Sequence, residues 1–174
     1  MPTEPVSEAA YPNLALRTLC PDDNVVMARV DADLFRKLVT DFIRVSKALD
    51  VLKKVTVYGK EMPGMGSEHG FVPAAHVDPQ VYHAILGIAT EGGELVEAMA
   101  KSLFDGVVLD TTNIKEELGD LEWFEALLRT RTGLTAEEVR TANIAKLEAR
   151  YAKKKFDAEA ALKRNHDAER KALG

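Results

Sequence analysis

The chain has 174 residues, of which 46% are hydrophobic and 29% are charged, a length and composition typical of one globular domain rather than a disordered protein. The net charge of −5 excludes a general nucleic-acid coat protein, which needs a basic face. The single cysteine, Cys20, excludes an internal disulfide. No apolar run approaches the roughly 20 residues that span a bilayer, and residues 1–16 do not resemble a signal peptide. We therefore expect a cytoplasmic protein.

The first 30 residues contain four prolines and little periodicity, which predicts an irregular arm. A helix is predicted from about Asp31 or Asp33 to near Tyr58. One apolar stripe recurs at helical spacing and is predicted to face a core: Leu34, Phe35, Leu38, Phe42, Val45, Leu49 and Leu52. Glycines and prolines then predict a flexible loop at 59–77, either a lid over a binding site or a surface excursion.

A second long helix is predicted to begin with Asp78 as N-cap and Pro79 in its first turn. Its predicted buried residues are Val81, Ile85, Ile88, Leu95, Met99 and Leu103. Gly92 and Gly93 lie inside this helix, where each costs about 1 kcal/mol relative to alanine. That cost indicates a close approach to the backbone, either by metal ions and phosphates or by another helix.

A turn is predicted at 105–106, followed by a third helix from the capping residues at 110–113 to about Arg131. Its predicted core residues are Ile114, Leu118, Leu121, Phe124 and Leu128. Thr135 and Glu138 form a capping-box pattern for a fourth helix that ends near Tyr151. No segment alternates like a strand. The prediction is an all-α antiparallel bundle at 31–156, with the arm at 1–30 and a charged helix at 157–174.

Four acidic residues occupy matched positions on the second and third predicted helices. Glu91 and Glu94 are three residues apart, as are Glu117 and Asp120, and this spacing places both side chains of a pair on one helix face. Positions 91 and 120, like 94 and 117, are equidistant from the predicted turn. If the two helices are antiparallel, all four carboxylates therefore lie at one level.

Carboxylates at one level repel one another unless cations lie between them, and hard divalent cations prefer oxygen ligands. The sequence has no Glu-x-x-His pair of the kind used by di-iron bundles, and no His-Glu-x-x-His motif or cysteine pair typical of zinc. Mg²⁺ is therefore the predicted cofactor, and Mn²⁺ can substitute for it. Acidic pairs are also common on solvated helix faces, and that alternative stays open at this point.

Three motifs together resemble the MazG-like all-α nucleoside triphosphate pyrophosphohydrolases. They are Glu91-Gly-Gly-Glu94 with residues 95–99, Lys115-Glu-Glu-Leu-Gly-Asp120-Leu, and Ala142-Asn-Ile-Ala-Lys-Leu147 with Arg150 and Tyr151. The resemblance covers about residues 81–156 and continues weakly to residue 170, as in phage-encoded members. One departure is Thr90, at a position where the family often has a leading glutamate.

The resemblance implies hydrolysis of a nucleoside triphosphate between the α and β phosphates, giving a monophosphate and pyrophosphate in a catalytic domain at 31–156. It assigns Mg²⁺ to four ligands: Glu91, Glu94, Glu117 and Asp120. Of these, Glu91 would also accept the proton from the attacking water. It assigns substrate contacts to Asn143, Lys146, Arg150 and Tyr151. Some phage relatives prefer guanine deoxynucleotides, which makes dGTP or GTP the first candidate.

The family forms dimers or tetramers, so we expect a homo-oligomer with no nucleic-acid or membrane partner, in the host cytoplasm if the chain is phage-encoded. Apolar residues on more than one helix face lead to the same expectation. Two alternatives stay open. The same scaffold acts on dUTP or phosphoribosyl-ATP in related enzymes, and a non-catalytic helical protein could use an acidic face to bind a basic partner.

Overall fold

The computed structural model describes residues 4–22, 25, 29–63, 76 and 78–173, and within these ranges it contains helices and no strand. The all-α fold predicted from the sequence is confirmed. In the same ranges, no helix combines the length and the apolar character needed to cross a membrane. The predicted loop at 59–77 lies largely outside the described residues, because 64–75 and 77 are not among them.

Seven α-helices occur in the described residues, with a short 3₁₀ turn after the first. They are α1 (Tyr11–Ala15), α2 (Ala32–Tyr58), α3 (Pro79–Asp105), α4 (Thr111–Thr132), α5 (Ala136–Arg150), α6 (Ala158–Leu162) and α7 (His166–Ala172). The chain divides into two compact units. Residues 30–133 form one unit, which contains α2, α3 and α4. Residues 1–29 and 134–174 form the other.

Capping residues set the helix boundaries, as the sequence predicted. At the start of each long helix of the first unit, an aspartate side chain accepts a hydrogen bond from a first-turn backbone N–H: Asp31, Asp78 and Asp110. Thr135 and Glu138 complete the capping box of α5. The three long helices of that unit end at glycines with φ between 66° and 74°, a conformation that favours glycine: Gly59, Gly106 and Gly133.

Helices α2, α3 and α4 form an antiparallel bundle. At one end of the α2–α3 pair the rings of Phe35 and Phe104 lie 5.9 Å apart, and at the other end the rings of Tyr58 and His83 lie 5.4 Å apart. The ring of Phe124 on α4 lies 5.3 Å from that of His83. Because a residue early in one helix contacts a residue late in its neighbour, consecutive helices run in opposite directions, as the predicted turn required.

Close helix packing explains two glycines of α3. A Cβ atom at Gly93 would lie 1.8 Å from the hydroxyl oxygen of Ser46 on α2, and one at Gly87 would lie 2.2 Å from the ring of Phe124 on α4. Of the two explanations that the sequence left open, packing by another helix therefore holds for Gly93. A Cβ at Gly92 would meet no atom of the described residues within 4 Å, so packing among them does not explain that glycine.

The prediction that the apolar stripe of α2 faces the core of the chain is wrong for most of the stripe. The buried residues of α2 are Val39, Ser46 and Lys53. Ser46 fits over Gly93, so α2 approaches α3 through a narrow and largely polar face, and its bulky apolar side chains point elsewhere. Five of them are exposed by 39–56%: Leu34, Leu38, Phe42, Val45 and Leu52.

The N-terminal arm is more helical than predicted, and the predicted C-terminal helix is interrupted. The arm contains α1, with Pro12 in its first turn, and the buried Val6, whose backbone N–H donates to Thr141 Oγ1 at 2.8 Å. The single helix predicted at 157–174 is wrong, because two short helices stand there. The Asn165 side chain caps the second helix, which starts a new hydrogen-bond ladder instead of continuing the first.

Candidate metal centre

Three of the predicted ligands come together between α3 and α4. One carboxylate oxygen each of Glu91, Glu117 and Asp120 lies within 4.8 Å of the others, a spacing that a metal ion can bridge. Glu91 and Glu117 are only 7% and 4% exposed, whereas Asp120 is exposed. The cluster is therefore a partly buried site with one carboxylate at the solvent side, and it differs in this respect from an ordinary solvated face.

Glu94, the fourth predicted ligand, lies beside this group of three and is not part of it. Its carboxylate interacts electrostatically with the cluster. Partial burial is the largest cause that raises the pKa of Glu94, and the charges of Glu91 and Asp50 raise it further. A hydrogen bond with Glu117 acts in the opposite direction. The structure thus brings the Glu94 carboxylate next to the three others without giving it the same spacing.

The strongest electrostatic signal in the cluster is at Glu117. Burial, with the neighbouring charge of Glu94, raises the pKa of Glu117 to about 7, although the Asn113 side chain donates a hydrogen bond to its Oε1 at 2.6 Å. Burial disfavours the charged form of this carboxyl group, and the negative charges of the neighbouring carboxylates add to the effect. A divalent cation would supply the missing positive charge, so the donor set fits Mg²⁺.

A buried lysine on α2, which the sequence analysis did not identify, also contacts the cluster. Lys53 is 4% exposed, and its Nζ lies 3.0 Å from Glu91 Oε1, 2.8 Å from Thr90 Oγ1 and 3.4 Å from Asp50 Oδ1. The ring of Phe124 lies 4.9 Å from the same ammonium group. A signal was present in the sequence, because Asp50 and Lys53 are a charged pair at helical spacing.

Thr90, where the family often has glutamate, is a link in this network. It is 1% exposed, accepts a hydrogen bond from Lys53, and donates one to the backbone oxygen of Gly87 at 3.0 Å. The Thr90 hydroxyl also lies 3.2 Å from Glu91 Oε1. In this chain the position therefore joins α2 to the α3 backbone through a hydroxyl group instead of adding a carboxylate.

His83 belongs to an aromatic cluster at the end of the bundle. Its Nε2 lies 3.0 Å from the Tyr58 hydroxyl, and its ring contacts those of Trp123 and Phe124. Burial, together with the nearby charge of Lys53, lowers the pKa of His83. A neutral, hydrogen-bonded imidazole at this place has a structural role in the bundle.

The four predicted substrate contacts lie in the other compact unit, on or just after α5. Asn143 Nδ2 donates to the Tyr11 hydroxyl at 2.6 Å, and both side chains line an open groove of about 1170 Å³. Lys146 lines the same groove. Arg150 pairs with Glu169, and Tyr151 is buried with its ring 6.3 Å from that of Phe156.

Residues 81–155 match the family model of the MazG nucleotide pyrophosphohydrolase domain. This segment is similar to MazG domains. The match includes all four predicted metal ligands and all four predicted substrate contacts, and it confirms the resemblance that the three motifs indicated. No curated protein and no solved structure matches the chain. The MazG match covers less than half of the chain, and both Asp50 and Lys53 precede it.

Proposed function

We propose that the protein is a Mg²⁺-dependent nucleoside triphosphate pyrophosphohydrolase that yields a nucleoside monophosphate and pyrophosphate. The observation that supports this proposal is the partly buried cluster of Glu91, Glu117 and Asp120 inside the segment that is similar to MazG domains. An all-oxygen site of this kind suits a hard cation and phosphate chemistry. Because two of the three carboxylates are buried, the cluster is a poor docking face for a basic partner protein, which would need exposed charges.

In the proposed reaction, Glu91, Glu117 and Asp120 would hold the metal, with Glu94 beside them as the fourth predicted ligand. Mg²⁺ at this place would neutralise phosphate charge and make a coordinated water more acidic. A water oxygen would form a bond to the phosphorus on one side of the α–β bridge as the P–O bond of that bridge breaks, and the bond electrons would leave with the phosphate group or groups on the other side. The water proton goes to a carboxylate of the cluster, for which Glu91 is our candidate.

The two oxygens of Glu91 have different surroundings, which shapes its proposed role. Oε1 accepts a hydrogen bond from Lys53 and lies 3.2 Å from the Thr90 hydroxyl. Among the described residues, Oε2 has no hydrogen-bond partner, so it is the oxygen that can accept a proton or bind a cation. In this assignment Oε2 of Glu91 takes part in the reaction, and the contacts of Oε1 orient the carboxylate.

Phosphate charge that the metal leaves uncompensated requires cations from the protein. Asn143, Lys146 and Arg150 lie on one face of α5 because they follow one another at turn spacing. We propose that they contact the triphosphate or sugar, together with Tyr151. Arg150 would then exchange the carboxylate of Glu169 for a phosphate group.

The preferred base is part of the proposal, with dGTP or GTP as the first candidate and dUTP or phosphoribosyl-ATP as alternatives on the same scaffold. We also propose a homo-oligomer, a dimer or a tetramer, of the phage type. The support for an oligomer is the exposed apolar side of α2, together with exposed apolar residues of α3: Ile85, Met99 and Leu103. Apolar surface of this extent is typical of protein–protein contacts.

The proposal is tested by incubating the full chain with a panel of NTPs and dNTPs in Mg²⁺, and by measuring pyrophosphate and orthophosphate separately. We expect pyrophosphate as the product, no activity in EDTA, and recovery with Mn²⁺. Orthophosphate as the main product would contradict cleavage between the α and β phosphates. An absence of product with every nucleotide, in both Mg²⁺ and Mn²⁺, would contradict the enzymatic function.

A further inference from the structure

The Lys53 ammonium group has three oxygen neighbours. It donates hydrogen bonds to Thr90 Oγ1 at 2.8 Å and Glu91 Oε1 at 3.0 Å, and it forms an ion pair with Asp50 Oδ1 at 3.4 Å. A buried ammonium is tolerated only when it is paired and hydrogen-bonded. Lys53 meets this condition, since its buried ammonium group is paired with the Glu91 carboxylate.

Asp50 serves to hold this lysine. Its Oδ1 faces Lys53, and its Oδ2 pairs with Lys54. Burial acts to raise the pKa of Asp50, but its hydrogen bonds and charge interactions with Lys54 and Lys53 outweigh it, and the pKa is lowered. Both oxygens of Asp50 pair with lysines, and Asp50 is not among the three carboxylates whose oxygens lie within 4.8 Å of one another.

The position of Lys53 relative to the carboxylate cluster is the feature that needs an explanation. Its ammonium group contacts one oxygen of Glu91, whose carboxylate also belongs to the group of three that could hold a metal ion. A positive charge at hydrogen-bond distance from a ligand carboxylate repels a divalent cation and stabilises that carboxylate when the cation is absent. It also fixes the orientation of the carboxylate.

We propose that Lys53 is the resident counter-cation of the metal centre, whose ammonium group keeps the metal-free cluster folded and holds Oε1 of Glu91, so that Oε2 is the oxygen turned to the metal centre. This inference rests on the function proposed above and assigns a role to a residue outside the matched MazG segment. Lys53 is a positioning residue because it is too buried to contact substrate.

A counter-cation and an ordinary structural ion pair differ in how bound metal affects the stability of a variant that lacks the lysine. If the pair is only structural, replacing Lys53 lowers the stability equally with and without metal. If Lys53 is the counter-cation, its replacement leaves Glu91 buried and unpaired in the metal-free protein, and a bound divalent cation then restores the missing charge. Metal should therefore stabilise the variant more than it stabilises the wild type.

The experiment compares Lys53→Met with wild type in the full chain, using thermal melting in EDTA and in Mn²⁺ and titration calorimetry with Mn²⁺. Methionine keeps the unbranched shape and the helix propensity of lysine without its charge. We expect a lower Tm in EDTA, a larger rise of Tm with Mn²⁺, and Mn²⁺ binding at least about fivefold tighter, because a repelling charge is removed. At saturating Mg²⁺, kcat should fall while KM for the nucleotide stays unchanged.

The matched control is Lys47→Met. Lys47 lies on the same helix and also pairs with a glutamate of α3, since its Nζ is 2.7 Å from Glu97 Oε2, but Glu97 is outside the cluster. Its Mn²⁺ response should equal that of wild type. Lys53→Arg, which keeps the positive charge, should bind Mn²⁺ within about twofold of wild type, since the Coulomb repulsion remains.

Each outcome decides between the explanations. An equal Mn²⁺-induced rise of Tm in wild type and Lys53→Met would overturn the proposal, as would tighter binding in Lys53→Arg. If Lys53→Met does not fold in EDTA, recovery of its helical circular dichroism with Mn²⁺ supports the proposal, and failure to recover refutes it. A wild type that shows no response to Mn²⁺ or Mg²⁺ would refute the metal centre itself, and the role of Lys53 with it.

Discussion

Arg150 forms a bidentate salt bridge with Glu169: Nε donates to Oε1 at 2.9 Å and Nη2 donates to Oε2 at 2.7 Å. Arg164 binds the same carboxylate in the same way, at 3.2 and 2.6 Å. The hydrogen bonds from the two guanidinium groups hold the pKa of Glu169 far below its usual range, and the bond from Arg150 has the largest effect. A residue that the MazG resemblance assigns to phosphate is thus engaged by an anion from the chain itself.

Replacing Glu169 with glutamine should release Arg150 for substrate. Because the competing negative charge is lost, we expect KM for the nucleotide to fall severalfold, while Tm falls because a buried bidentate pair is weakened. Steady-state kinetics and thermal melting measure the two effects. The control is Glu159→Gln, which removes only the exposed pair with Lys163. An unchanged KM in Glu169→Gln would show that Arg150 is not a substrate contact.

Glu94→Gln and Asp120→Asn should each lower kcat by at least about 100-fold, because they remove a carboxylate from the proposed metal site. The helical circular dichroism signal should stay intact, since both side chains are exposed. Glu122→Gln is the matched control, as Glu122 is also exposed on α4 just beyond Asp120. Near-normal turnover in either of the first two variants would contradict its assignment as a ligand.

The metal-free protein should lose stability as the pH rises from about 4.5 to 7 through the titration of Glu117. The pKa of this group is raised from 4.5 to about 7, so folding favours its protonated form. The stabilisation that this protonated carboxyl group gives to the folded protein is therefore complete below pH 4.5 and is lost above pH 7. The full effect is on the order of 3 kcal/mol. The measurement is urea unfolding in EDTA at several pH values, for wild type and for Glu117→Gln.

Glu117→Gln removes the titrating group, so its stability relative to wild type should grow across this pH interval. Comparison of the two proteins cancels the other groups that titrate there, such as His83, whose lowered pKa acts in the opposite direction. A constant difference between the two proteins from pH 5 to pH 7.5 would contradict the raised pKa of Glu117.

Sequence patterns predicted the features that depend on local spacing. Aspartate caps fixed where α2, α3 and α4 begin, and the equal distances of positions 91 and 120 from the turn placed Glu91 opposite Asp120. Lys53 was missed because its burial depends on contacts with Thr90 and Glu91 on another helix, at 37 and 38 residues' separation. Periodicity identified the apolar side of α2, but it does not tell whether that side packs within the chain or against another copy.

That apolar side leads to a test of the proposed oligomer. Phe42 is 48% exposed, and a charge at its position would be desolvated in any interface that covers the α2 stripe. We expect Phe42→Glu to give a smaller species than wild type in light scattering coupled to size-exclusion chromatography. Thr40→Glu is the control, because Thr40 is exposed on a different side of the same helix. Equal masses for wild type and Phe42→Glu would show that this stripe is not the interface.

The adjacent glycines of α3 should respond oppositely to alanine. In Gly93→Ala the new Cβ would meet Ser46 at 1.8 Å for Oγ and 2.4 Å for Cβ, so α2 must move away, at a loss of about 2–3 kcal/mol in unfolding free energy. In Gly92→Ala the Cβ meets nothing within 4 Å in the part of the chain that the structure describes, and the higher helix propensity of alanine should add about 0.5–1 kcal/mol to the unfolding free energy.

Urea unfolding of both alanine variants beside wild type measures these changes, and the double variant Ser46→Gly with Gly93→Ala isolates their cause. Removing the Ser46 side chain takes away the atoms that the new Cβ would strike, so the double variant should recover part of the stability lost in Gly93→Ala. A Gly93→Ala protein as stable as wild type would mean that α2 and α3 are not in close contact at this point. The contact between Lys53, two turns beyond Ser46 on α2, and Glu91, two residues before Gly93 on α3, would then lose its support.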